Sequence, residues 1–171
     1  MKSYSNVGAI LEYTGHTLIL FDDRSFRWFS VKRFAWDGAG DEVAVLGALI
    51  VHWRYRDHYA ARDSHEEDAG NIHGPYWVAA ITPVEFTPIG SEGAIGVVEE
   101  FCGLFDCPPR PEVRAQVEAV VLSWLGRSSW YRLRDLPDVI HEWGSVLWEF
   151  RELVAISHKS REVLSVVMAI D

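Results

Sequence analysis

The end of the chain constrains the fold more than any other stretch. Residues 163–170, VLSVVMAI, are too β-rich and too apolar to lie on a surface. Residues 153–156, the turn His158-Lys159-Ser160 and residues 163–170 fit a closing hairpin. Val146, Leu147, Phe150, Leu153 and Val154 also fit a helix at 3.6-residue spacing, so the start of the hairpin stays open.

Upstream, residues 7–13 and 17–21 read as strands flanking the turn signal Thr14-Gly15. Asp22-Asp23-Arg24-Ser25 reads as a second turn, residues 26–31 as a strand and residues 36–41 as a loop. Leu49, Val51, Trp53 and Tyr55 alternate with His52, Arg54 and Arg56. With Ile50 as the exception, this predicts a half-buried strand, and residues 76–82 suit a partner for it. Pro83 and Pro88 then mark the exit from the sheet.

From Ser91 the pattern changes to helix. Ser91-Glu92 fits the start of a helix running to Phe101 or Leu104. Pro111-Glu112 opens the clearest helix, because proline tolerates a first turn and an acid suits its positive end. Val113, Val117, Val120, Val121 and Trp124 share a face, and Gly126 stops it. Asp135 to Asp138 fit the start of another short helix, ended by Gly144. The order strands, helices, strands predicts one α+β domain over residues 1–171. It would hold a mainly antiparallel sheet with two to four helices packed against it. Its parts would be strand-rich over 1–88, helical over 91–144 and a hairpin over 150–171. No βαβ alternation supports a doubly wound nucleotide-binding fold.

Composition excludes several classes of function. About half of the 171 residues are hydrophobic and eight are Trp, far from the composition of a disordered chain. The net charge of -9 opposes sequence-independent nucleic-acid binding and favours attraction to a basic partner. No targeting signal and no membrane-length apolar run is legible, so a cytoplasmic location is expected. Cys102 and Cys107 are not spaced as Cys-x-x-Cys and are expected to be reduced thiols.

The stretch RDHYAARDSHEEDAGNIHG, residues 56–74, concentrates three histidines and five carboxylates. As a long connection between two strands it is expected to carry function. A metal set built from His58, His65 and Asp68 is conceivable, but His65-Glu66-Glu67-Asp68 lacks the second histidine of H-E-x-x-H. Adjacent acids such as Glu66-Glu67 point apart in a strand or a helix and do not by themselves form a catalytic pair. There is no G-x-S-x-G elbow, G-x-G-x-x-G run or P-loop, so neither a nucleophile nor a cofactor is indicated. Trp36, before a Gly-rich loop, and Trp130-Tyr131, in a loop-like stretch, are candidate interface aromatics.

An acidic, aromatic-rich compact domain without a catalytic motif resembles, in general type, the immunity proteins that bacteria hold against secreted toxins. The residues carrying the resemblance are Asp57, Asp63, Glu66, Glu67 and Asp68. It implies a non-catalytic inhibitor whose acidic loop blocks the basic cleft of a toxin or enzyme. Trp36, Trp130 and Tyr131 would act as anchors beside the loop. Two other readings stand beside it. One is a subunit or regulator of a stable complex, including a homodimer through the edge of the C-terminal hairpin or an exposed apolar patch. The other is a metal-assisted enzyme using His58, His65 and Asp68.

Overall fold

A computed structural model of the chain describes residues 8–57, residue 59 and residues 70–171. Strands β1 (Leu11–Leu20) and β2 (Arg27–Trp36) pair antiparallel across the turn at Asp22 to Ser25. Thr14-Gly15, expected to separate two strands, instead lies inside one strand at a break in register between Tyr13 and Gly15. Before the break Leu11 and Tyr13 face Trp36 and Phe34. After it His16, Leu18 and Leu20 face Lys32, Ser30 and Trp28. The extra residue reverses the odd-even parity of β1, so both halves keep the same set of partners on β2.

Helix α1 (Glu42–Val51) corrects the expectation of a strand at Leu49 to Tyr55. Asp41 caps it, its side chain accepting from the Ala44 N–H at 2.9 Å. Val45, Leu46, Leu49 and Ile50 are buried at helical spacing, while Val51 and Trp53 are exposed. The Ile50 exception to the alternation was therefore part of the helical stripe. Strands β3 (Ile72–His73) and β4 (Tyr76–Trp77) form a short separate pair. Residues 78–80, expected to extend that strand, are a 3-10 turn.

The remaining elements are β5 (Phe86–Ile89), α2 (Ser91–Cys102), α3 (Pro111–Val120), β6 (Ser129–Leu133), β7 (Glu149–Ser157) and β8 (Glu162–Ile170). Both expected helices form. Gly126, at φ +75, lies in the turn beyond α3. The segment at Trp130-Tyr131 is a strand rather than a loop, and the short helix expected after Asp135 is two 3-10 turns, Pro137–Val139 and Gly144–Val146.

Six strands join in one antiparallel sheet in the order β1-β2-β8-β7-β6-β5. The α+β expectation holds, with three α-helices among the described residues. The apolar run at the end of the chain is explained by its place. Strand β8 is central and helices cover both faces, so Leu164, Val166 and Met168 are buried on one side and Val163, Val167 and Ala169 on the other. The C-terminal hairpin therefore lies inside the sheet, β8 beside β2 and β7 beside β6, and the outermost strands are β1 and β5.

On one face Ile19, Phe29, Val31 and Met168 pack with Phe101 of α2 and with Val113 and Val117 of α3. On the other Phe34, Trp36, Ile156 and Val163 pack with α1. Each such side chain contributes roughly 1.5–3 kcal/mol by leaving water. Among the described residues no helix is long and apolar enough to cross a membrane.

Candidate functional site

The acidic stretch begins and ends at one point of the fold. Asp57 bridges His73; its N–H donates to Ile72 O at 3.1 Å, and its carbonyl accepts from the Gly74 N–H at 2.7 Å. His58, Asp63, His65, Glu66, Glu67 and Asp68 lie outside the described residues. The stretch connects a helix, not a strand, to β3. Of its expected contact residues only Asp57 is described, and its carboxylate is paired within the chain to Lys32 Nζ at 3.0 Å.

A buried polar cluster holds this base together. Lys32 Nζ also donates to the Tyr59 hydroxyl at 3.3 Å. Burial pushes the Lys32 ammonium below its ordinary range, against the opposing pull of Asp57. His73 presents Nδ1 to Tyr55 O at 2.7 Å and Nε2 to Glu152 Oε2 at 2.8 Å. Glu152 further accepts from the Tyr55 hydroxyl at 3.0 Å and from Ser165 Oγ at 3.3 Å. Both ring nitrogens of His73 are therefore engaged in hydrogen bonds. His73 and Glu152 are fully buried, and the cluster ties Tyr55 and β3 to β7 and β8.

The aromatic residues singled out in the sequence lie inside or against the protein. Trp36 is 5% exposed, and its indole N–H donates to Ala39 O at 2.9 Å. Trp130 is 2% exposed and packs in the core beneath α2 and α3. Neither can act as a surface anchor, because strand pairing turns each ring into the interior. Tyr131 is half-buried, and its hydroxyl donates to the Glu42 carboxylate. Burial and that carboxylate push the phenol up to about 12.

Other aromatics are exposed: three line one cleft, while Trp53, Trp77 and Trp143 stand outside it. Trp148 is 81% exposed, Phe105 61% and Phe26 57%. They line a cleft of about 480 Å³ at one end of the sheet, with Val146, Cys107, Asp23 and Asp171. That volume is within the usual range of ligand-binding clefts. Four separate segments build it: the β1–β2 turn, the α2–α3 linker, the residues entering β7 and those leaving β8.

Arg27 fixes two of those segments to each other. Its guanidinium is fully buried. It donates to Cys102 O and Cys107 O, both at 2.6 Å, to Asp23 Oδ2 at 2.9 Å and to Ser25 Oγ at 2.8 Å. The β1–β2 turn is thus tied to the end of α2 and to the linker beyond it. Burial alone would raise the Asp23 carboxyl, but hydrogen bonds from Ser25 and Arg27 outweigh it and hold it below the usual carboxylate range. At the far wall the Trp28 indole N–H donates to Asp171 Oδ1 at 3.1 Å.

The backbone of the cleft is strained. Among the described residues seven non-glycine residues have positive φ, and Asp22, Arg24, Phe26, Phe105 and Asp106 are five of them. For a bulky residue such as Phe this conformation is an outlier costing about 1–2 kcal/mol. Phe26 at φ 58 and Phe105 at φ 62 accept it while also exposing their rings. Strain of this kind concentrates at sites that bind or switch.

Both cysteines lie at the α2–α3 end of this site. Cys102 is buried, which pushes its thiol up to about 11, and Cys107 is a free thiol on the cleft wall. Among the described residues no three His, Cys, Asp or Glu side chains gather as a metal set. No family model matches the chain, and neither a curated protein nor a solved structure matches it.

Proposed function

We propose that this chain is a non-catalytic binding protein of the immunity type, acting in the cytoplasm on a protein partner with a basic surface. Its role would be to block a basic cleft of a toxin or enzyme. One observation carries the reading: Trp148, Phe105 and Phe26 are held in the open around a single cleft, two of them at backbone angles that disfavour them. Exposed aromatic rings in a cleft are the side chains that contribute most to protein interfaces. The net charge of -9 supports the sign assigned to the partner. Acidic residues Asp63, Glu66, Glu67 and Asp68 would steer association, with the cleft aromatics giving the contact its lifetime.

The test starts from a tagged wild-type chain and a Glu66→Lys, Glu67→Lys, Asp68→Lys form used side by side on lysate of the native host. Any captured protein is then identified, produced pure and titrated at several salt concentrations. The reading expects a basic partner whose affinity falls with salt and by about tenfold or more on charge reversal. A partner that binds both forms equally at low salt would remove the acidic stretch from the interface.

A further inference from the structure

We infer that the cleft between Phe26, Phe105 and Trp148 receives a short partner segment in which a large apolar side chain stands next to an arginine or lysine. The inference rests on the binding-protein reading and names the chemistry of the contact. Its apolar half follows from the walls: two phenylalanines, Val146 and Trp148 offer rings and methyl groups to a ligand that leaves water.

Its basic half follows from charge. Asp23 and Asp171 line the cleft, and the exposed Asp22 and Asp106 adjoin it in sequence. Asp23 and Arg27 form an ion pair and offset each other, which leaves Asp22, Asp106 and Asp171 against Arg24. The local balance is therefore acidic. Aromatic faces beside carboxylates suit a guanidinium or ammonium group, which the ring quadrupole and the negative charge attract together. An acidic ligand would meet the Asp171 carboxylate, with Arg24 as the lining cation left to attract it.

Short capped peptides test this without the full partner. One carries Leu-Arg at its centre, a second replaces Arg by the neutral isostere citrulline, and a third replaces Leu by Ser. Binding is read from the NMR signals of the ¹⁵N-labelled protein, with the Trp148 indole identified from Trp148→Ser. The expected result is a shift of the Trp148 indole with the Leu-Arg peptide at up to millimolar concentration. Binding should be about fivefold weaker for each altered peptide, and about fivefold weaker for Phe105→Ser with the Leu-Arg peptide.

Equal binding of the citrulline peptide would overturn the basic half and mark the cleft as purely apolar. No shift with any peptide, or shifts that Phe105→Ser leaves unchanged, would overturn the site. Both substituted side chains are exposed, and unchanged signals from the core would exclude misfolding as the cause. Failure of the peptides would not touch the lysate capture, whereas failure of that capture alongside peptide binding would locate the error in the wider reading.

Discussion

Phe105 shows how a single residue can serve something other than stability. Its backbone is left-handed, where Asn or Gly is tolerated and Phe is not, and its ring gains little burial in return. Phe105→Asn is therefore expected to leave the unfolding free energy unchanged or to raise it by about 1 kcal/mol, while weakening binding. Urea denaturation checks the first part, and a loss of more than about 1 kcal/mol would mean that the ring supports the fold. Asp23 is the opposite case. Its folded carboxyl is held below the usual range by Ser25 and Arg27 despite burial, so its contribution is present above about pH 4 and is lost as pH falls through the folded value. The stability gap between wild type and Asp23→Asn should be constant near neutrality and close progressively below pH 4. A gap that widened in acid would contradict the assignment.

At the scale of elements, what the sequence revealed depended on how local the signal was. Helix α3 was legible because Pro111, Glu112 and the Val113/Val117 stripe all lie within it. The β7–β8 hairpin was legible because VLSVVMAI could only be interior. Helix α1 was not legible because Leu49, Val51, Trp53 and Tyr55 alternate across its end, whereas the Asp41 cap and the burial of Val45, Leu46 and Ile50 are seen in the structure. Strand β6 was hidden because pairing with β5 and β7, rather than its own composition, makes it a strand. The cap now carries weight. Asp41→Ala should cost about 1 kcal/mol, seen as a lower thermal midpoint, because the Ala44 N–H loses its acceptor. An unchanged midpoint would show that α1 is held by packing alone.

Across the whole molecule, the site was less legible than the fold for a topological reason. Its aromatics come from three segments far apart in sequence, and no local pattern links Phe26 in FDDRSF, Phe105 in GLFD and Trp148 in SVLW. The Asp22-Asp23-Arg24-Ser25 turn was visible, but its neighbour Phe26 read as the start of a strand. Trp36 and Trp130 attracted attention as loop aromatics and proved to be interior, since exposure is decided by which sheet face a residue meets. Arg27 could not be foreseen either: its partners at Phe101, Cys102 and Cys107 are brought to it only by the packing of α2 across β2. The buried Lys32–Asp57 and His73–Glu152 pairs likewise join residues remote in sequence, and they fix the base of the acidic stretch at a second place on the same protein.

The central claim is that exposed aromatics at this cleft serve to bind a protein. Its most direct test is the Kd of the purified partner for wild type and for Phe105→Ser combined with Trp148→Ser, measured under identical salt conditions with circular dichroism to verify the fold. The expected result is a rise of about tenfold or more with the spectrum unchanged. An unaltered Kd in a folded double variant would contradict it.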